Sequence, residues 1–228
     1  MTRYLGRTTW TDHHRRERPA IIAVPIGSCE QHGPHLPLDT DTRIATALAD
    51  SLADKYDEGD VLVAPPITIS ASGEHAGFPG TLSVGTSVFE HLVVELVRSA
   101  DWSGGVVLVN GHGGNRRPVE RAVRLLHSEG RRVLSWWPQV AGGDAHAGDT
   151  ETSMMLALAP DLVRMHLAEI GVTAPLVDLI DELRAGGVIS VSRNGVLGDP
   201  LRASANAGRN MLTRLSIDLV AAVEEWWA

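Results

Sequence analysis

Residues 30 to 41 read EQHGPHLPLDTD, which sets Glu30, His32, His35 and Asp41 on one short stretch stiffened by Pro34 and Pro37. Carboxylate oxygen and neutral imidazole nitrogen are the donor set for borderline divalent ions such as zinc, manganese and iron(II). Proline lowers the entropy lost when a loop is fixed around an ion. With an extended backbone, Glu30 and His32 stand two apart and project to one side, so they converge on one ion while Cys29 and Gln31 turn away. Asp39 or Asp41 opens the next helix and would be its cap in a purely structural role. Beside Glu30 and His32, Asp41 reads as a ligand.

Two further segments carry the same chemistry. Asn110-Gly-His-Gly-Gly-Asn115 places His112 among glycines 111, 113 and 114. Backbone N–H groups of Gly113 and Gly114 are free to approach a substrate oxyanion there, and Asn115 offers a side-chain donor. The pattern matches neither GxGxxG nor the Walker loop, which argues against a nucleotide. His146-Ala-Gly-Asp-Thr-Glu151 adds Glu151 and a histidine suited to protonating a leaving amine. In the loop Ser72 to Gly80, Glu74 and His75 are candidates to face substrate. Five oxygen and nitrogen ligands with one bridging carboxylate suffice for two metals. Such a pair would generate hydroxide near neutral pH and polarise a carbonyl, the two needs of amide hydrolysis.

Each segment follows a strand signal. Ala20 to Ile26, Val61 to Ala64, Val106 to Val109, and Val133-Leu134 with Trp136 and Trp137 are short apolar runs of buried-strand length. Trp136 and Trp137 are expected in the core. Helical periodicity separates them: Thr42 to Tyr56 on Ile44, Leu48 and Leu52; a helix capped by Thr86 with Phe89, Leu92, Val93, Leu96 and Val97 as its stripe; and one carrying Val119, Ala122, Val123 and Leu126. Helices are also expected at Thr152 to Leu158, Val177 to Leu183 and Ala203 to Trp226, and a strand at Val188 to Val191. This alternation predicts one α/β domain over residues 1–228, a three-layer α/β/α sandwich with a mostly parallel sheet. Strands of a parallel sheet deliver their exit loops to one edge, so the three segments meet there.

Bulk properties narrow the classes. The 228 residues are 43% hydrophobic and 21% charged with net charge −8, and the Lys and Arg residues are scattered, which argues against nucleic acid or an anionic membrane as partner. No apolar run approaches the roughly 18 residues that span a bilayer, and the N-terminus lacks a signal peptide's apolar core. A cytoplasmic protein is expected. The single cysteine, Cys29, excludes an intrachain disulfide. It is also a conceivable nucleophile, although strand parity points it away from Glu30 and His32.

Taken in order, EQHGPHLPLDTD, NGHGGN and HAGDTETSMML resemble the creatininase (creatinine amidohydrolase) family over nearly the whole chain. Ser72 to His75 and Gly195 to Pro200 extend the resemblance to its mycofactocin-system peptidase branch. The resemblance implies the α/β/α fold, a ring-like homo-oligomer and a divalent metal centre, two ions per subunit, of zinc, iron(II) or manganese. It implies hydrolysis of a short modified precursor peptide near its C-terminus, releasing a cross-linked Val-Tyr-derived dipeptide. It carries metal positions onto Glu30, His32, Asp41 and His112, with Asp41 bridging, and an acid/base role onto His146. His35 is left unassigned, a second-layer histidine being one option. Creatininase has a metal-binding glutamate and a substrate-touching aromatic where this chain has Gly114 and Gly113. Glu151 is the candidate replacement ligand, with a catalytic acid/base role beside His146 as its alternative, and the glycines would open the pocket to a peptide. A small-molecule amidase of the same family and a non-catalytic metal-containing binding protein are the alternatives.

Overall fold

A computed structural model describes residues 2–57 and 59–228. Strands β1 (Ile21–Ile26), β2 (Val61–Val63), β3 (Gly105–Asn110) and β4 (Val133–Trp136) form an all-parallel sheet in the order β2-β1-β3-β4. Its register pairs Ile21 with both Val61 and Gly105, and Val106 with Val133. Helix α1 (Trp10–His14) precedes the sheet, and α2 (Thr40–Ala53), α3 (Thr86–Ser99) and α4 (Arg116–Ser128) make the three crossovers. Helices α5 (Asp149–Leu158), α6 (Leu176–Gly186), α7 (Val188–Val191) and α8 (Ala205–Trp227) follow β4.

Strands β1, β2 and β3 are buried on both faces, which is why their runs are continuously apolar rather than alternating. Successive side chains still take opposite sides. Ile21, Ala23, Val107 and Val109 join Ile44, Leu48 and Leu52 of α2, Met154 and Met155 of α5, and Leu215, Leu219 and Val223 of α8 in one core. Ile22, Val24, Ile26, Val106 and Leu108 join Phe89, Val93 and Val97 of α3 and Val119, Ala122 and Leu126 of α4 in the other. The result is the expected three-layer α/β/α arrangement.

The topology fixes where a ligand belongs. From β1 the chain crosses to β2 on one edge, and from β3 it crosses to β4 on the other. Right-handed crossovers running in opposite directions put α2 on one face and α3 and α4 on the other. The loops leaving β1 and β3 therefore diverge, and the crevice between them lies at the carboxyl ends of the strands.

Several local expectations are corrected. Val188 to Val191 is not a strand but the short helix α7: Ser192 N–H bonds back to the Val188 carbonyl, and no neighbouring strand among the described residues offers a ladder. Helix α2 begins at Thr40, so Asp41 sits inside its first turn, and Asp39 turns its carboxylate to Arg43 (2.8 Å) instead of capping. Helix α5 begins at Asp149 because the Asp144 carboxylate accepts the backbone N–H groups of Asp149 and Thr150 and completes the turn from outside. On α3, Val94 is buried and Leu92 exposed, and α3 is preceded by Gly85 rather than capped by Thr86. Trp136 is buried and donates to Asp218 (2.8 Å), but Trp137 is half-buried beneath the Arg116 guanidinium, 4.7 Å above its ring.

Candidate metal centre

Beyond Ile26 the chain stops being a strand. Cys29 makes an isolated bridge with Leu82, and Glu30 N–H closes the loop on the Leu38 carbonyl at 3.0 Å. This loop holds Glu30 and His32 wholly buried over the ends of β1 and β3. His112 arrives from β3, Asp41 from the first turn of α2, and His146 and Glu151 from the segment around the start of α5. Glu74 and His75 come from the one-turn 3-10 helix Gly73–His75. Those eight side chains share one interior cluster.

Asp41 stands at its middle. Its Oδ1 lies 3.1 Å from His32 Nε2, its Oδ2 lies 3.2 Å from His112 Nδ1, and Ser28 Oγ donates to Oδ2 at 2.8 Å. Glu30 Oε1 is 3.0 Å from His112 Nδ1 and 3.4 Å from His75 Nε2. Glu151 Oε2 is 3.9 Å from His32 Nε2 and 4.0 Å from His146 Nδ1, and it accepts Ala147 N–H at 2.6 Å. Three sets offer ligand atoms within 4.8 Å of one another: Glu30, Asp41 and His112; His32, Asp41 and Glu151; Glu30, His32 and His146. Asp41 belongs to the first two sets, with one oxygen toward each histidine.

The donor chemistry fits a divalent cation. Both carboxylate oxygens of Glu30 are buried and neither receives an aligned hydrogen bond, although an unpaired buried carboxylate is among the costliest groups a protein can carry. His32 Nδ1–H donates to the Glu30 carbonyl (3.0 Å) and His112 Nε2–H to the Ala71 carbonyl (3.0 Å). Each ring is thereby oriented with its other nitrogen facing the carboxylates, the outer-layer arrangement typical of metal-binding histidine.

Electrostatics say the same. Burial opposes a charged His32, but Asp41 beside it raises its pKa to about 10, and Glu30 and Asp41 raise His112 well above the usual histidine range against the same burial. Burial would raise Asp41, yet His32 and His112 hold it well below the ordinary carboxylate range. Burial pushes Glu151 up to about 7. The cluster thus demands compensating positive charge, supplied by protons on His32 and His112 or by a cation that displaces them. His146 is different: burial, with His32 and His75 nearby, holds it well below the usual histidine range.

The sequence-derived candidates divide. Glu30, His32, Asp41, His112, His146 and Glu151 come together. Glu74 is drawn to the back of His112, its Oε1 3.3 Å from Nε2, and His112 lowers its pKa although burial opposes this. Gly113 is exposed, with open space where a side chain would begin. Gly114 does not open the pocket as expected: a Cβ there would overlap Glu74 Oε1 and fall 2.5 Å from His112 Nε2, so Glu74 fills that space. Asn115 is fully buried and its amide is spent within the protein, accepting Ala71 N–H (3.1 Å) and donating to Gly27 carbonyl and Asn110 Oδ1, which leaves no side-chain donor for substrate. His35 is buried against Thr152 Oγ1 (2.9 Å), outside the cluster.

One residue of the cluster escapes the sequence pattern. Strand parity turns Gln31 away, but the loop is not extended, and the Gln31 amide lies between His75 Nδ1 (2.9 Å) and His146 Nε2 (3.0 Å). Cys29 does turn away, with Sγ 3.7 Å from the Gly80 carbonyl.

Comparison with known proteins agrees with the geometry. A sequence model described as creatininase, creatinine amidohydrolase, matches residues 6–223. A mycofactocin precursor peptide peptidase of Mycolicibacterium smegmatis (strain ATCC 700084 / mc(2)155) is 46% identical over 226 residues, covering 97% of this chain and 91% of that protein. The protein of the same name from Mycobacterium tuberculosis (strain CDC 1551 / Oshkosh) is 49% identical over 217 residues, covering 91% and 86%. Among solved structures, a single-site mutant of creatininase superposes with TM-score 0.83 at 25% identity, covering 100% of this chain and 99% of that one. With a family match across almost its whole length and the same fold throughout, the chain belongs to the creatininase family.

Proposed function

We propose that the chain is a metal-dependent peptidase acting on the modified mycofactocin precursor peptide, cleaving an amide bond near its C-terminus to release the cross-linked Val-Tyr-derived dipeptide. The observation that carries the metal is the Glu30 carboxylate, buried with both oxygens unsatisfied beside His32, Asp41 and His112. The substrate reading rests on the 46% and 49% identity to proteins named mycofactocin precursor peptide peptidase. In this reading Glu30, Asp41 and His112 would hold one ion and His32, Asp41 and Glu151 a second, Asp41 serving both sets. Zinc, iron(II) and manganese all suit this oxygen and nitrogen set. A divalent ion bound there supplies Lewis acidity that polarises an amide carbonyl and acidifies water.

The chain's own residues do the rest. His146 keeps an unprotonated Nδ1 toward Glu151, so it is able to take a proton from the attacking water and return it to the leaving amine. The open side at Gly113 leaves room for a peptide. The unbroken family match supports a single domain over residues 1–228, and we extend the reading to a cytoplasmic homo-oligomer. No helix among the described residues is long and apolar enough to cross a membrane.

The decisive experiment incubates the modified precursor with enzyme of measured metal content and follows it by mass spectrometry. Release of the modified dipeptide is expected, lost on chelation and restored by added metal. Equal cleavage by metal-free enzyme, or an untouched precursor beside turnover of cyclic amides or formamides, refutes it.

A further inference from the structure

Four imidazoles surround the carboxylates, and the hydrogen bonds on their outer sides fix which nitrogen of each ring carries a proton. His32 and His112 donate outward to the carbonyls of Glu30 and Ala71, so their inner nitrogens are available to a cation. His146 Nε2 lies 2.8 Å from the Gln31 backbone carbonyl, an acceptor only, so the proton is on Nε2 and Nδ1 is a lone pair. His75 is set the other way, and Gln31 sets it.

The Gln31 side chain is assigned without ambiguity. Its Oε1 accepts Gly33 N–H at 2.9 Å, so the opposite end is the NH2 group. One N–H of that group must go to the Gly195 carbonyl at 3.0 Å, which only accepts. The other points to His75 Nδ1 at 2.9 Å, because His146 Nε2 is already donating to the Gln31 carbonyl. His75 Nδ1 is therefore an acceptor, and its proton sits on Nε2, 3.4 Å from Glu30 Oε1. The amide is held in this orientation by two loops. Gly195, at φ +77°, leaves the room it needs: a Cβ there would overlap Gln31 Oε1.

We propose that Gln31 is a positioning residue that fixes His75, once a cation has displaced the inner protons of His32 and His112, as the one imidazole presenting an N–H to the carboxylate cluster, and that this N–H meets the carbonyl oxygen of the scissile amide as it gains charge. The assignment of His75 to that oxygen rests on the peptidase reading; the proton positions do not. A neutral imidazole donor stabilises an oxyanion without giving up its proton, and removing one donor of this kind lowers kcat by about 10² to 10³-fold.

The test has two arms. Long-range 1H–15N correlation spectra of the zinc-loaded enzyme, with His75 assigned by the signal lost in His75→Gln, are expected to show the Nε2–H tautomer in wild type. Gln31→Glu replaces a donor with an acceptor, so His75 is expected to move its proton to Nδ1. In the kinetic arm, Gln31→Glu and His75→Leu are expected to lose about 10²-fold or more in kcat with little change in KM or zinc content. His75→Gln, which keeps an N–H, should recover at least about tenfold over His75→Leu. An Nδ1–H signal in wild type overturns the proposal even if Gln31→Glu fails to fold, as does Gln31→Glu with wild-type kcat. If wild type leaves the precursor intact, the peptidase reading falls and the assignment of His75 to its carbonyl falls with it, while the spectra alone still decide the part played by Gln31.

Discussion

Two adjacent glycines test the geometry of the centre most sharply. At Gly113 a methyl group would meet nothing, and at Gly114 it would overlap Glu74 Oε1 and meet His112 Nε2 at 2.5 Å and the Ala71 carbonyl at 2.7 Å. Glu74 is the end of a flexible side chain and can withdraw. His112 and the Ala71 carbonyl cannot, because they hydrogen-bond one another and His112 is wedged against Glu30 and Asp41. Ordinary contact begins near 3.4 Å, so Gly114→Ala asks the His112 ring to move 3.4 − 2.5 = 0.9 Å. Metal–ligand distances tolerate only about 0.2 Å, and disturbing an outer partner of a ligand histidine typically costs about 10 to 100-fold in affinity. That corresponds to about 1.4 to 2.8 kcal/mol. Competition titration against a chromophoric chelator should therefore show weaker metal binding by Gly114→Ala in that range and wild-type binding by Gly113→Ala. Equal affinities for the two variants would refute the claim that His112 is a ligand held from behind.

Two further outcomes are expected. Burial depresses the His35 pKa to about 4, against 6.5 for the free side chain. The unfolded chain then binds more protons than the folded one between those values, so this stability is complete above pH 6.5 and lost as pH falls toward 4, by up to about 3 kcal/mol. Urea midpoints measured across that interval should fall in wild type and fall less in His35→Gln, and parallel curves would show that His35 is not responsible. Cys29 Sγ bonds to the Gly80 carbonyl, away from the cluster, so Cys29→Ser should keep kcat within about twofold, and a loss of kcat with metal content intact would point to a cysteine nucleophile instead.

Most of this protein is legible without its fold. The four strands, the helices between them and the meeting of three ligand-bearing loops follow from apolar runs, helical spacing and the rule that parallel strands share an exit edge. The clustering of Glu30, His32, Asp41, His112, His146 and Glu151 is implied by their places after strands. Local pattern leaves undecided the contacts between segments far apart in the chain. Val188 to Val191 is apolar enough for a strand but finds no ladder, so it closes on itself as a helix. Asn115 looks available in NGHGGN until Ala71, Gly27 and Asn110 claim its amide. Gly114 looks like open space until Glu74, forty residues earlier (114 − 74 = 40), fills it. Gln31 defies strand parity because parity holds only while a chain remains extended, and here the bridge at Cys29 and the bond from Glu30 to Leu38 have already ended the strand. The order of residue types alone establishes which groups carry charge and lone pairs and on which edge of the sheet they emerge. Which nitrogen of each imidazole faces the carboxylates is decided only by tertiary structure, because the partners on the outer sides of those rings are backbone carbonyls and an amide that only folding brings near.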